Sequence, residues 1–267
     1  MRVSAAPLQD KCIVIIGGTS GIGLSAAKAC VAAGAKIVVV GRDEESTAAA
    51  KAGLGSNTRS IIADAIDPVT ADRAIDLAIR EFGRFDGLYH VAGGSARKVG
   101  DGPLHEMSDQ GWDFVWRLNV TSMIFSNRAA VRQFLRQNSP GSVLNLGSVA
   151  SISPSPRHFA THGYAAAKGA AIALTRSAAA YYAPHNIRFN CILPGLVATP
   201  MSRRAQDDPA IMKFIQTKQP LDGGRIGRPD DLDAAVVYFL SDASKFVTGQ
   251  VLAIDGGWSV AEGQYDE

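Results

Sequence analysis

Cysteine is scarce in this sequence, which holds only Cys12, Cys30 and Cys191 in 267 residues. The three lie far apart, and none belongs to a CxxC or CxxH pair. This spacing predicts neither a metal site nor a disulfide framework. Because each cysteine sits in an apolar stretch, we expect three buried free thiols.

Long apolar runs and a surplus of one charge are also absent. No stretch approaches the roughly 20 apolar residues that a membrane helix needs. Residues 1–11 have neither the apolar core nor the cleavage pattern of a signal peptide. The formal net charge is only +2, whereas nucleic-acid-binding proteins usually concentrate positive charge. We therefore expect a cytoplasmic protein that binds neither a membrane nor nucleic acid.

What the sequence does contain is an alternation of short apolar runs with segments of helical period. We predict seven strands, at residues 12–16, 37–40, 59–63, 88–92, 143–146, 187–192 and 251–254. Their continuous, β-branched character is typical of strands buried on both faces. The clearest helix is predicted over residues 70–82, with an apolar stripe of Ala71, Ala74, Ile75, Ala78, Ile79 and Phe82. The pattern predicts an α/β fold with a doubly wound parallel sheet.

No internal repeat, linker or low-complexity segment interrupts the pattern, which predicts one domain over residues 1–267 with tails near 1–10 and 259–267. The loosest internal segments are residues 95–103, 151–163 and 201–224. Because ligands of open parallel sheets bind beyond the carboxyl ends of the strands, these segments are expected to wall a site.

The first strand runs into a glycine-rich turn that is followed by an alanine-rich helix. Gly17 suits a tight turn, Gly21 lets the backbone approach a pyrophosphate, and Gly23 lets the helix pack closely. Free N–H groups at a helix N-terminus attract phosphate. We predict that a dinucleotide binds here, against Gly17, Thr19, Ser20, Gly21, Ile22 and Gly23.

The end of the second strand bears on which dinucleotide is bound. An acidic residue there would hold the ribose 2′-OH of NAD, but this chain has Gly41 followed by Arg42. The Arg42 guanidinium can pair with a 2′-phosphate, so NADP(H) is expected to be preferred and NAD(H) possible. The alternative is that Arg42 is a solvated loop residue and that Asp43 turns inward to bind NAD.

Four polar residues form a candidate catalytic group. Tyr164 and Lys168 are spaced to share one face of a helix, and Ser148 lies just past the fifth strand, where its hydroxyl can hold a substrate oxygen. A free tyrosine has a pKa near ~10, so acid/base catalysis at neutral pH needs a shift of roughly three units. The Lys168 ammonium, aided by an oxidised nicotinamide, can supply that shift. Asn119 can orient a water beside Lys168.

These residues together resemble the short-chain dehydrogenase/reductase family, over nearly the whole chain. The family's glycine motif is matched by Gly17, Gly21 and Gly23, and its catalytic tetrad by Asn119, Ser148, Tyr164 and Lys168. The resemblance implies further cofactor contacts from Asp64, Ala65, Ala92, Gly93, Tyr164, Lys168, Pro194, Gly195, Val197 and Thr199. It also implies a Rossmann-type sheet of strand order 3-2-1-4-5-6-7 in α/β/α layers, and a homotetramer or homodimer. The implied activity is 3-oxoacyl-reductase-like hydride transfer between nicotinamide and a small ketone or secondary alcohol.

The chain departs from the family pattern at two places near the predicted site. Ile16 stands where the family usually has threonine, and His90-Val91 replace the usual Asn-Asn. We interpret His90 as a structural rather than a catalytic histidine. Because the tetrad is intact, we expect an active enzyme. The segment between Ser148 and Tyr164 is longer than usual and is expected to shape the substrate mouth.

Two other functions and one question of substrate stay open. A protein of this fold can instead reduce an activated C=C bond of an enoyl thioester, or act as a non-enzymatic dinucleotide sensor, although a sensor need not keep the tetrad. Six cations fall in the predicted mouth segments and can attract an anionic substrate: Arg97, Lys98, Arg157, His158, Arg203 and Arg204. The alternative is a scatter of solvated surface charges.

Overall fold

A seven-stranded parallel sheet forms the centre of the structure, a computed structural model that describes residues 6–263. Residues 1–5 and 264–267, which belong to the two predicted tails, lie outside the described residues. The strands are β1 (Cys12–Ile16), β2 (Lys36–Gly41), β3 (Thr58–Ile62), β4 (Gly87–His90), β5 (Gly141–Leu146), β6 (Ile187–Pro194) and β7 (Val251–Ile254). Their spatial order is β3-β2-β1-β4-β5-β6-β7, which confirms the predicted Rossmann-type sheet.

Strand boundaries follow the predictions to within two residues, and the differences have local causes. β4 ends at His90 rather than at residue 92, because the N–H groups of Val91 and Ala92 both bond to the carbonyl of Ile16 and the chain leaves the ladder. β5 begins earlier than predicted, because Gly141 and Ser142 pair with β6 although neither is apolar.

Helices cover both faces of this sheet. Their bounds are α1 (Gly21–Ala32), α2 (Glu44–Leu54), α3 (Thr70–Phe82), α4 (Asp109–Trp116), α5 (Ser122–Arg136), α6 (His162–Tyr182), α7 (Arg203–Gln206), α8 (Pro209–Lys218) and α9 (Asp233–Leu240). The bounds of α3 are those predicted, and Gly83 ends it in a left-handed conformation with φ 77°. No helix within residues 6–263 is long and apolar enough to cross a membrane.

The alternation of side chains along each strand divides the core between the two faces. Ile13 and Ile15 of β1 pack with α1, α2 and α9, whereas Val14 and Ile16 pack with α3, α5 and α6. Leu8, in the predicted N-terminal tail, is fully buried in the first of these cores. Burial of each aliphatic side chain contributes about 1.5–3 kcal/mol, so both layers anchor the sheet whose carboxyl edge carries the site.

The three cysteines lie inside this core. All are buried, as the sequence predicted, and none forms a disulfide. Burial raises the pKa of the Cys12 and Cys30 thiols to about 12, so they stay protonated at neutral pH. No group of three His, Cys, Asp or Glu side chains in the described part of the chain is arranged to hold a metal ion.

Candidate active site

Two adjoining cavities lie beyond the carboxyl ends of the central strands, where parallel sheets bind ligands. One follows the glycine-rich turn and has a volume of about 310 Å³; we call it the turn cavity. The other surrounds Tyr164 and has a volume of about 410 Å³; we call it the tetrad cavity. Ile22, Gly93 and Thr199 line both, so the two form one continuous groove.

The glycine-rich turn is shaped by contacts that leave no room for side chains. Gly17 has φ 88°, and a Cβ added to it would lie 2.7 Å from the backbone nitrogen of Ala92. A Cβ at Gly23 would overlap the carbonyl oxygen of Gly17, so α1 starts directly against the turn. Ser20 makes no side-chain cap and the first turn of α1 holds no acidic residue. The helix N-terminus therefore keeps N–H groups for an anion.

At the end of β2, Asp43 caps the next helix and also lines the turn cavity. Its carboxylate accepts a hydrogen bond of 2.8 Å from the backbone N–H of Ser46, which caps α2. That bond, together with the Ser46 hydroxyl, lowers the pKa of Asp43. A Cβ at Gly41 would overlap the Thr19 side chain, which would have to move to admit a larger residue there. Arg42 is exposed at the rim of the turn cavity.

The other residues predicted to bind a cofactor are distributed along the groove. Apart from Gly23, which packs behind the turn, each of them lines one of the two cavities. The turn cavity is lined by Gly17, Thr19, Ser20, Gly21, Ile22, Arg42, Asp64, Ala65, Ala92, Gly93 and Thr199. The tetrad cavity is lined by Tyr164, Lys168, Pro194, Gly195 and Val197.

Tyr164, Lys168 and Ser148 meet in the tetrad cavity. Tyr164 lies in the first turn of α6, and the Lys168 ammonium lies 5.7 Å from the centroid of its ring. Ser148 lines the same cavity, close enough to the phenol to influence its pKa, and its hydroxyl accepts a bond of 3.2 Å from the backbone N–H of Ala150. The structure thus brings the phenol, the hydroxyl and the ammonium to one place.

The pKa of the Tyr164 phenol is raised, whereas the sequence predicted that Lys168 would lower it. Burial raises the pKa of Tyr164, and the neighbouring Ser148 hydroxyl opposes that rise. Lys168 is itself buried, which lowers its own pKa to about 8, and its ammonium donates a bond of 2.9 Å to the carbonyl oxygen of Leu146. The ammonium therefore bonds to backbone rather than to the phenol, and the protein alone keeps Tyr164 protonated.

Asn119 lies behind this group, in a π-helical turn (Arg117–Thr121) that joins α4 to α5. Its amide donates two bonds of 2.9 Å, to the carbonyls of Gly94 and Val115, and its Oδ1 accepts one of 3.0 Å from the N–H of Gly94. One lone pair of Oδ1 is left for a water. A Cβ at Gly93 would lie 2.6 Å from Oδ1 and 3.2 Å from the Lys168 ammonium, so the two groups are neighbours.

Asp101, which no sequence motif marks, holds the start of α6 in place. Its buried carboxylate accepts bonds of 2.9 Å from the N–H of Gly163 and 3.0 Å from that of Tyr164. Thr161, the N-cap residue, makes no side-chain cap of its own. No motif marks Asp101, because its partners lie 62 and 63 residues further along the chain.

His90 has the contacts of a structural residue, as interpreted from the sequence. It is buried, with Nδ1 2.8 Å from the Ser126 hydroxyl and Nε2 3.4 Å from that of Ser122. It thus ties β4 to α5. Burial, and next the charge of Lys168, lower the pKa of His90 to about 3, which keeps the ring neutral.

Acid should therefore destabilise the protein through His90. The unfolded histidine protonates near its ordinary pKa of 6.5 and the folded one only near 3, so the free energy of unfolding should fall between these pH values. By pH 4 the loss from this group should reach about 3 kcal/mol. Urea unfolding at pH 7 and pH 4 should show a smaller loss in His90→Asn than in wild type. An equal loss in both would contradict this, and His105→Asn, at an exposed position, serves as the control.

Comparison with known proteins identifies the family. A family profile described as Enoyl-(Acyl carrier protein) reductase matches residues 17–259. The chain is 34% identical to 2-(S)-hydroxypropyl-CoM dehydrogenase 3 of Xanthobacter autotrophicus, covering 94% of this chain and 97% of the relative. It is also 34% identical to 2-dehydro-3-deoxy-D-gluconate 5-dehydrogenase of Dickeya dadantii, covering 97% and 99%.

A solved structure of a reductase has the same fold as this chain. The 3-ketoacyl-(acyl-carrier-protein) reductase of Brucella melitensis, complexed with NADH, superposes with a TM-score of 0.83 at 26% identity, covering 95% of this chain and 100% of that one. The chain belongs to the short-chain dehydrogenase/reductase family. It is accordingly an oxidoreductase that acts on CH–OH or C=O groups with a nicotinamide dinucleotide.

Proposed function

We propose that this protein transfers a hydride between NADP(H) and a small ketone or secondary alcohol, with Tyr164 as the acid/base. The placement of Tyr164, Ser148 and Lys168 around one cavity, continuous with the groove of the glycine-rich turn, carries this proposal. The Tyr164 phenol and the Ser148 hydroxyl can donate hydrogen bonds to the same substrate oxygen, and such bonds stabilise the negative charge that a carbonyl oxygen develops during reduction. The names of the relatives support this chemistry, since they describe dehydrogenases and a ketoacyl reductase.

The groove fits a nicotinamide dinucleotide. Side chains are excluded at Gly17 and Gly23, and the uncapped N-terminus of α1 offers N–H groups to the phosphates. Asp64 and Ala65 would hold the adenine end, and Lys168 would hold the nicotinamide ribose, between the two cavities. Bound there, the nicotinamide supplies or accepts the hydride.

The protein's own part is to hold the substrate oxygen and to move one proton. Ser148 and Tyr164 donate hydrogen bonds to the carbonyl oxygen, which stabilises the negative charge that develops there. Burial keeps the phenol protonated, so Tyr164 can deliver its proton to that oxygen in the reductive direction. Asn119 keeps one lone pair for a water that can return a proton towards Lys168 and the phenol.

The preference for NADP(H) rests on the end of β2. Gly41 carries no carboxylate, Asp43 caps α2, and Arg42 is exposed at the rim of the turn cavity. Arg42→Ala should lower kcat/KM for NADPH by about tenfold, because a phosphate loses a charged partner, while kcat/KM for NADH stays within about twofold. Equal losses with both cofactors would contradict this role. Arg73→Ala, at an exposed position of α3 outside both cavities, is the control.

One observation favours a second chemistry, because the matching family profile is described as an enoyl reductase. Oxidation of NADPH, followed by its absorbance with a panel of carbonyl compounds and a panel of enoyl thioesters, separates the two. Turnover of carbonyl compounds alone supports the proposal, and turnover of enoyl thioesters alone overturns it. No turnover with either panel, at saturating NADPH, would favour the dinucleotide sensor instead. The single domain over residues 1–267, the cytoplasmic location and the homotetramer or homodimer stay predictions.

A further inference from the structure

The charged side chains that line the tetrad cavity all have one sign. They are Arg97, Lys98, Lys168 and Arg204. Within residues 6–263, no Asp or Glu lines this cavity. Lys168 lies beside Tyr164, whereas Arg97, Lys98 and Arg204 are exposed side chains at its mouth. A cavity lined in this way attracts anions and repels cations.

Two of these cations line the same cavity and lie close enough for their charges to interact. Arg97 follows β4 in a short 3-10 turn and Arg204 lies on α7, far apart in sequence. Partial burial, and next the charge of Arg204, lower the pKa of Arg97. Asp101 attracts Arg97, but its carboxylate already accepts two backbone hydrogen bonds from α6. The Arg204 guanidinium lies 3.4 Å from the carbonyl oxygen of His158, which turns it towards the 151–163 segment.

The remaining cations of the predicted mouth segments have other surroundings. Arg203 pairs with Asp207 at 3.8 Å, and neither it nor Arg157 lines the cavity. By contrast, none of Arg97, Lys98 and Arg204 forms an ion pair with a carboxylate in the described part of the chain. Of the six candidate cations, three therefore line one cavity and form no ion pair in the described part of the chain.

We propose that the substrate of this enzyme is an oxo acid or hydroxy acid, whose carboxylate is bound by Arg97 and Arg204 at the cavity mouth. This inference rests on the proposed function, because the reacting carbonyl then lies at Ser148 and Tyr164. Two guanidinium groups match the two oxygens of a carboxylate and would each gain an ion-pair partner. Apolar side chains make up much of the remaining lining, among them Val149, Pro154, Phe159, Leu196 and Trp258. The middle of the substrate is accordingly a short hydrocarbon chain.

Turnover of matched substrates tests the inference. Levulinate and its longer oxo-acid homologues are compared with their methyl esters, which keep the reacting ketone and lack the charge. We expect kcat/KM to be at least about tenfold higher for the best acid than for its ester, and the ratio to shrink at high salt. Arg97→Gln and Arg204→Gln should each bring the ratio towards one while leaving kcat/KM for the ester within about twofold. Arg157→Gln should leave the ratio unchanged.

A binding measurement keeps the test independent of turnover. Hexanoate and hexanamide are titrated calorimetrically into the enzyme with bound NADP⁺. Hexanoate should bind at least about tenfold more tightly, and the double variant Arg97→Gln/Arg204→Gln should remove that preference. If neither these compounds nor the wider carbonyl panel is turned over, the proposed function fails, while calorimetry still decides on the anion site. Equal binding of the two ligands, or a preference that survives in the double variant, overturns the inference.

Discussion

Tyr164→Phe is expected to lower kcat/KM for carbonyl reduction by about a thousandfold. The substitution removes one oxygen, which is both a hydrogen-bond donor to the substrate carbonyl and the source of its proton. The remaining ring keeps its place, because α6 is fixed by Asp101 at its first turn and by packing along its length. The loss should therefore fall on the chemical step rather than on folding.

Two further measurements make this result specific. The affinity for NADPH, followed by the fluorescence of the cofactor, should stay within about twofold of wild type. Tyr181→Phe removes a hydroxyl from an exposed tyrosine on the same helix and should leave turnover unchanged. A Tyr164→Phe variant that keeps wild-type turnover would rule out the phenol as the acid. A variant that loses NADPH binding to the same degree would place the defect in the groove.

The fold was predictable wherever burial follows the sequence pattern. β1 and β7 have their predicted bounds, because each is a continuous apolar run with a turn on either side. The start of β5 was not predictable, because Ser142 reads as a loop residue. Its hydroxyl donates a bond of 2.8 Å to the carbonyl of Phe239 in α9, which makes burial of a polar side chain tolerable. That partner is visible only once the helix has packed on the sheet.

The candidate site was also only partly predictable from the sequence. Tyr164 and Lys168 could be paired from sequence, since one helix fixes their separation. Their electrostatics could not, because the pKa of the phenol depends on burial and on Ser148, which comes from another element. The three cations at the mouth likewise needed the structure, since only packing shows which of six side chains line the cavity. Contacts within one element were thus readable, and contacts between elements were not.

Asp101 makes contacts between elements that the sequence does not reveal, and its loss should lower both stability and turnover. Asp101→Ala should lower the free energy of unfolding by about 3 kcal/mol, because two backbone N–H groups at the start of α6 lose a charged, buried acceptor. The charge also lies at the positive end of the longest helix, which favours it further. Urea unfolding measures the loss. Asp113→Ala, an exposed position on α4, should change stability by no more than about 0.5 kcal/mol.

If Asp101 had a purely structural role, its substitution would change only stability. Its bond to the N–H of Tyr164 implies an effect on catalysis as well. Well below its unfolding temperature, Asp101→Ala should have kcat reduced by at least about tenfold per folded molecule, because a small shift of the phenol misaligns proton transfer. KM for NADPH should change little, since the turn cavity does not contact Asp101. Asp101→Asn keeps one acceptor oxygen and should recover part of both losses. An unchanged kcat in a destabilised Asp101→Ala would confine this carboxylate to folding.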